Sequence, residues 1–435
     1  MIAPLLEKLP LFRILPMETA AGRKAAASEI SVGRSGADPS IPRRPINAMR
    51  QKTRKSKQLL EKLESGKRAT TYVVSPASFE DFPTTETGWA GKDFRYKTDQ
   101  QWLQQAWLDE SLLKSMQSQG FQLIAFDGLP TWLVDKNGVV FGYRTDVPKW
   151  MTELVVLDER TISLLGRIDE ECKAYVAACG DISDKDSKKN RRGPHWFHVS
   201  GVDRQISSQP KYTSFHLKHL ELTDALMDRR MNSALRRLVL HASNTYAMQF
   251  PSLAARVWNC RDRLLAMGVH PDIAIPQYGC WYNFCINASR GQNKGVFTRP
   301  HADAKNLALM MCAVFVYGRF DSKEKAWLVL WEAGLIIEVP PGALIYYPSA
   351  LFTHFNVNLT DLQFVTTSDG ALPTPQTASP LDGVEGRGSI VLFNQASLFQ
   401  YAELGSTVSQ AKQRGMSASC DNEEYVDRLP VVDLY

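Results

Sequence analysis

Long apolar stretches are missing from this chain. The longest unbroken one, Leu307 to Tyr317, falls far below the roughly 18 to 20 residues that a membrane-spanning helix requires. The sequence therefore predicts no transmembrane segment and no membrane partner. Cysteine is scarce. The seven thiols, at 172, 179, 260, 280, 285, 312 and 420, form no Cys-x-x-Cys pair. An odd number without a secretory leader points to free thiols in a reducing compartment, nuclear or cytoplasmic. Histidine is also sparse, with eight in the chain, so each one is worth placing. What is present is a globular composition, 44% hydrophobic and 22% charged over 435 residues. That excludes global disorder, collagen and a small disulfide scaffold, and allows one large domain with extensions or two to three smaller ones.

Charge is unevenly spread. Between Arg43 and Arg68 there are ten basic and two acidic residues, so this stretch carries +8 and the rest of the chain, from a total of +5, carries −3. Residues 1–70 show no sustained hydrophobic period and are expected to form a disordered basic tail. Its arginines and lysines suit a nuclear localisation signal or a contact to DNA or RNA phosphates, and equally a merely solvated tail. Residues 71–270 read as a mixed hairpin and helical support region. Within it, two strand-like runs flank Asn137-Gly138, where tolerance of positive φ suits a tight hairpin turn. The charged run from Asp184 to Gly193 has nothing to bury and reads as a surface loop. Thr223-Asp224 offers an N-cap for a helix running to about Met248, and a second helix follows Pro251 and ends near Gly268. Over residues 271–405 the texture changes to short β-rich runs between turn residues, which suggests an antiparallel sandwich or small barrel. Residues 406–435 form a C-terminal extension.

The strand-rich region holds Thr298-Arg-Pro-His301-Ala-Asp303. In extended chain, residues two apart point the same way, so His301 and Asp303 could meet one metal. A later histidine, His354, follows several intervening strands that could bring it back to the pair. Two imidazoles and one carboxylate make the facial triad that holds Fe(II) and leaves positions open. His270-Pro-Asp272 and His219-Leu-Glu221 have rival forms, but the first directly follows a helix, and neither lies inside the strand-rich block ahead of a later histidine. An iron with open positions needs an oxidisable co-substrate. 2-Oxoglutarate would present a buried carboxylate, which an arginine fork pairs bidentately. Arg387, at the head of the apolar strand Gly388 to Phe393, is the candidate, with Ser389 two residues on.

Several of these stretches together resemble the Fe(II)/2-oxoglutarate dioxygenases of the TET/JBP superfamily, especially its fungal expansion. The matching features are Asn287, His301-Ala-Asp303-Ala-Lys-Asn306, Gly318-Arg-Phe-Asp321, Leu328-Val-Leu-Trp331, Pro340-Pro-Gly342, Pro348-Ser-Ala350, His354-Phe-Asn356 and Arg387-Gly-Ser389. Phe126-Asp-Gly128-Leu-Pro130 and the Asn137-Gly138 hairpin extend the likeness upstream. The resemblance implies an α+β fold with a double-stranded β-helix (jelly-roll) core buttressed by helices. It implies that His301, Asp303 and His354 bind iron, that Arg387 and Ser389 seat 2-oxoglutarate with Asn287 nearby, and that the substrate is a methylated pyrimidine of nucleic acid. Two features depart from the family pattern. A spacer from Thr360 to Gly386, a lid or a disordered loop, is longer than the usual link, and Lys325-Ala326 replaces a paired glycine.

Other candidates carry plainer expectations. His195-Trp-Phe-His198 and His216-Leu-Lys-His219 have helical metal spacing without a cysteine or acidic partner, and read as structural histidines. Cys280 and Cys285 read as core thiols, and Trp281, Tyr282 and Phe284 as core aromatics that could otherwise stack a flipped base. The alternatives to a nucleic-acid dioxygenase are a dioxygenase acting on protein or a small molecule, and a catalytically silent β-helix module that binds nucleic acid or a protein partner.

Overall fold

The computed structural model describes residues 71 to 434, apart from 95–98, 109–111, 113–115, 117, 158–159, 184, 186–189, 206, 229–232, 291–294 and 358–385. The basic tail and nearly all of the 360–386 spacer lie outside the described residues. The chain divides into two units, Met1–Ala69 and Thr70–Tyr435, and the second holds every described residue.

In chain order the strands begin with β1 (Thr71–Val74), β2 (Gln122–Ile124), β3 (Thr131–Val134), β4 (Val140–Arg144), β5 (Leu154–Leu157), β6 (Arg160–Ser163), β7 (Trp196–Asp203) and β8 (Lys211–Tyr212). They continue with β9 (Asn283–Ala288), β10 (Cys312–Tyr317), β11 (Trp327–Leu330), β12 (Leu335–Ile337), β13 (Leu344–Tyr347), β14 (His354–Val357) and β15 (Gly388–Phe393). The longer helices are α1 (Gln100–Leu108), α2 (Leu164–Cys179), α3 (Ala234–Gln249), α4 (Pro251–Ala266) and α5 (Ala396–Leu404). Nine strands form one sheet in the order β1-β3-β4-β13-β10-β15-β9-β7-β8, and four form a second, β14-β11-β12-β2. The protein is thus α+β around a large mixed sheet.

Side-chain alternation decides what each face of these sheets buries. Along β10, Cys312 and Val316 join Ile345 and Tyr347 of β13 in a core shared with Leu328, Leu330, Leu335 and Ile337 of the second sheet. Their neighbours Ala313, Phe315, Tyr317, Leu344 and Tyr346 turn the other way, against α2, α3 and α4. The outer face of the second sheet, with Val329, Trp331, Ile336 and Phe355, is covered by Leu103 and Ala106 of α1. The layers are therefore helices, nine-stranded sheet, four-stranded sheet and helix. Polar residues on the inner faces of the two sheets have no water layer to retreat to, and the candidate site sits there.

Three expectations meet a physical correction. The sequence suggests helices first and a sheet afterwards, yet five strands from before residue 271 (β1, β3, β4, β7 and β8) belong to the nine-stranded sheet. The pairing of β7 with β9 and the parallel pairing of β1 with β3 join distant segments, which a local pattern does not encode. The helix expected from Thr223 to Met248 is two helices, Leu220–Met227 and α3. The N-terminus of α3 is set by a carboxylate from another helix. Glu171 accepts hydrogen bonds from Ser233 Oγ, Ala234 N and Leu235 N, so a tertiary contact overrides a continuous periodic pattern. Thr223 lies inside the earlier helix, its hydroxyl against Tyr175 Oη at 2.9 Å.

The Asn137-Gly138 turn joins β3 and β4 as an antiparallel pair, with Gly138 at φ 86°. The C-terminal extension packs back on it: Val140 N donates to Pro430 O and Val432 N to Gly138 O, both at 2.8 Å. No helix among the described residues is long and apolar enough to cross a membrane.

Candidate metal and co-substrate site

The segment carrying His301 runs antiparallel to the start of β14. His354 N donates to His301 O at 2.8 Å and His301 N to His354 O at 3.2 Å, so the backbone itself clamps two imidazoles side by side, ring centroids 4.2 Å apart. Asp303 N donates to Ser349 O at 2.9 Å, which brings the carboxylate into the same corner. Ligating atoms of His301, Asp303 and His354 all lie within 4.8 Å of one another, and no other group of this kind occurs among the described residues.

The protonation states suit a cation. His301 Nδ1 lies 2.7 Å from Arg299 O and His354 Nδ1 lies 2.9 Å from Phe352 O. A carbonyl can only accept, so each Nδ1 carries the proton and each Nε2 keeps its lone pair. Burial, reinforced by His354 and Arg192, pushes His301 well below the ordinary imidazole value, and burial also lowers His354. Burial alone would raise the Asp303 carboxyl. The Arg192 guanidinium and the two imidazoles outweigh it and hold the carboxyl at about 2. Arg192 Nη2 donates to Asp303 Oδ1, and Asn306 Nδ2 donates to Oδ2 at 3.1 Å. At neutral pH the three side chains are two neutral imidazoles and one carboxylate.

Arg387, immediately before β15, is 6% exposed. Its Nη1 donates to Val296 O at 2.9 Å, its Nε has no partner, and no carboxylate among the described residues forms an ion pair with it. Burial lowers its pKa to about 10, so it stays charged at neutral pH. Ser389 follows on the inner face of β15, opposite Asn287 of β9, whose Nδ2 donates to Ser389 Oγ at 3.1 Å. Two glycines permit this arrangement. A Cβ on Gly318, which has φ 95°, would stand 2.1 Å from Gly386 O, and one on Gly388 would stand 2.2 Å from the Tyr317 ring. Side chains at either position would push the Arg387 segment away.

The triad, Arg387, Ser389 and Asn287 line one cavity of about 70 Å³, whose apolar wall includes Leu328, Tyr347 and Val391. Beside it lies a larger cleft of about 860 Å³ that shares Arg192, His301, Asp303, Asn306 and Phe393 with it. Bare imidazole lone pairs, an ionised carboxylate and a buried guanidinium lacking a counter-ion are the features that a divalent metal and an anionic ligand would satisfy. The residues present fit both groups.

The other candidates fall elsewhere. His270 and Asp272 are exposed, and His270 caps a short helix, its Nδ1 accepting from Asp272 N at 3.3 Å. His198 stacks on Phe215 at 4.1 Å and His216 on Tyr212 at 4.1 Å. Trp281, Tyr282 and Phe284 are fully buried, with Trp281 Nε1 donating to Met311 O and Tyr282 Oη to Ala274 O, so they are core and not a stacking platform. Cys280 is likewise core, whereas Cys285 lines the cavity. Two cavity residues escape the sequence reading. Arg192 comes from the charged stretch read as a surface loop, and its signal is the Gly193-Pro194 turn that leads it straight into a buried aromatic strand. His195 is the first histidine of the spacing read as structural.

No family model and no curated protein matches the chain. Among solved structures it is similar to NgTET1 in complex with 5mC DNA, at 14% identity and a TM-score of 0.35, over 69% of this chain and 92% of that one. It is similar also to OsALKBH1, at 10% identity and a TM-score of 0.22, over 56% of this chain and 98% of that one. Both likenesses are too loose to carry an argument, so the chemistry rests on the chain's own geometry.

Proposed function

We propose that this protein is an Fe(II)- and 2-oxoglutarate-dependent dioxygenase in which His301, Asp303 and His354 hold the iron and Arg387, Ser389 and Asn287 seat the co-substrate. One observation carries the reading: a metal-ready triad and a buried guanidinium without a carboxylate partner line the same cavity. The inner faces of the two sheets that enclose it act as a double-stranded β-helix. When bound, Fe(II) and 2-oxoglutarate supply the oxidising chemistry that hydroxylates a C–H bond at the expense of O₂, with succinate and CO₂ as co-products.

The chain's own residues do the holding. The carbonyls of Arg299 and Phe352 keep each Nδ1 protonated, so that both Nε2 atoms are donors to a metal. Asn306 and Arg192 occupy the Asp303 oxygens from the sides and fix the carboxylate plane. Arg387 would pair with the distal carboxylate of the co-substrate and Ser389 would donate its hydroxyl to the same group, with Asn287 orienting Ser389. Leu328, Tyr347 and Val391 keep bulk water from the buried end.

The substrate we propose is a methylated pyrimidine of nucleic acid, presented single-stranded or flipped from a duplex. The sequence resemblance supports it. So does the larger cleft, lined by Arg191, Arg192, Lys211 and Lys305, which suits a phosphate backbone; the basic tail offers further phosphate contacts. The test is succinate release and oxygen uptake with methylated and unmethylated oligonucleotides, single- and double-stranded. Methylated strands should stimulate turnover, and Asp303→Ala should abolish it. Turnover indifferent to nucleic acid would move the substrate to protein or a small molecule. Absence of both turnover and metal binding would leave a silent binding module.

A further inference from the structure

His195 sits just before β7, 2% exposed, and lines the cavity that holds the triad and Arg387. Neither of its ring nitrogens has a hydrogen-bond partner. Buried polar groups in folded proteins are nearly always paired, and each exception needs an explanation. Asn287 lies close enough to favour the protonated ring. Asn287 makes no hydrogen bond to either ring nitrogen; its amide nitrogen donates to Ser389 Oγ at 3.1 Å and its oxygen accepts from Cys285 Sγ at 3.5 Å. Packing alone does not account for an imidazole here. An apolar side chain would line the cavity without stranding two polar atoms, and the Phe197 ring, two residues on at 6.2 Å, shows that the local chain accommodates one.

The surroundings say what the imidazole faces. His195 lies within electrostatic reach of two guanidinium groups. Arg192 marks the metal end of the cavity through its bond to Asp303, and Arg387 marks the other end. An anionic ligand attracted by those two charges would occupy the cavity that the ring also lines. Burial and the two cations depress the imidazole to about 4, so at neutral pH the ring is uncharged and carries one N–H donor. We propose that His195 is a co-substrate-binding residue that donates this N–H to an oxygen of the dicarboxylate held between Arg192 and Arg387. A neutral donor adds directional recognition of the bound oxygen without a third positive charge in a site that already holds two. The inference rests on the dioxygenase reading above and goes beyond it by assigning a residue outside the triad and the Arg387–Ser389–Asn287 group.

The experiment is equilibrium binding of 2-oxoglutarate to the full chain, loaded anaerobically with Fe(II), followed by calorimetry and by the visible charge-transfer band. Fe(II) affinity is measured separately without 2-oxoglutarate. His195→Leu should weaken 2-oxoglutarate binding about tenfold or more, the loss of one hydrogen bond to a charged group, and leave Fe(II) affinity within about twofold. His195→Asn keeps a donor at similar reach and should restore most of the binding, which separates hydrogen bonding from packing. Circular dichroism and thermal melting confirm that each variant is folded; an unfolded leucine variant leaves the decision to His195→Asn and His195→Phe, with the same contrast expected between them. Unchanged affinity in the apolar variants, or equal loss in the asparagine and apolar variants, overturns the proposal. If the wild-type chain binds neither Fe(II) nor 2-oxoglutarate, it is the dioxygenase reading that fails, and the two failures are told apart by that control.

Discussion

Two buried arginines mark two regions of this protein that follow opposite rules. Arg144, 1% exposed, ties the large sheet to the second one: Nη1 donates to Ile124 O and Glu338 O at 3.1 and 2.9 Å, and Nη2 to Ala125 O and Thr131 Oγ1 at 3.1 and 3.0 Å. Arg387, 6% exposed, makes one such bond among the described residues, to Val296 O. The Nε of each is left over, so the difference lies in the terminal nitrogens. A saturated guanidinium holds a fold together. An unsaturated one costs stability and is explained by a ligand that completes it. Asp303 and Glu338 are both hydrogen-bonded at each oxygen, the first by Arg192 and Asn306 and the second by Phe126 N, Ser322 Oγ and Lys323 Nζ; what sets Asp303 apart is the pair of imidazoles beside it.

Four measurements test that contrast. The largest effect belongs to Asp303→Ala, which should abolish Fe(II) binding and lower any turnover by about 10³-fold or more, since it removes the one charged ligand; activity and metal content per folded chain check it. Next, Arg144→Met should destabilise the chain by about 3 kcal/mol, because it removes four hydrogen bonds that tie the sheets together, to Ile124 O, Ala125 O, Glu338 O and Thr131 Oγ1, while the folded fraction keeps its 2-oxoglutarate affinity. Chemical denaturation and binding on the same sample read both. Arg387→Met should do the reverse. Its 2-oxoglutarate affinity should fall about 100-fold, and its stability should hold or rise by about 1 kcal/mol as an unpaired buried charge is removed.

A further effect is in pH. His195 and His241 are both held at about 4 by burial and nearby arginines, against 6.5 for a free ring. The unfolded chain therefore takes up protons between these values that the folded chain refuses. Stability is full above about pH 6.5 and falls as pH drops towards 4, by the order of 2 kcal/mol for each ring. Denaturation at pH 7 and pH 5 should show the loss, and His241→Phe should reduce it. A pH-independent midpoint would contradict the burial assigned to both rings.

Much of the candidate site is legible in the sequence because its pattern is local. His301 and Asp303 stand two apart in extended chain, Arg387 and Ser389 repeat that spacing at the head of a strand, and the apolar alternation of β10, β13 and β15 is visible in the sequence. The rest depended on contacts that span the chain. Arg192 looked solvated among like and unlike charges, and only a fold that carries it 111 residues along to Asp303 gives it a role. His195 belonged to a spacing that suggests a helix, whereas the segment enters a strand. The break before α3 hides in a capping carboxylate, Glu171, that lies 62 residues from Ser233. The strands before residue 271 are hidden for the same reason, since β7 and β1 find their partners far along the chain.

The measurement that bears most directly on this account is anaerobic titration of the full chain with Fe(II) and then 2-oxoglutarate. The account predicts one equivalent of each bound, with a visible charge-transfer band that is absent in Asp303→Ala and needs much higher 2-oxoglutarate in Arg387→Met. Metal bound with no band at saturating 2-oxoglutarate, or a band that survives Asp303→Ala, would contradict it.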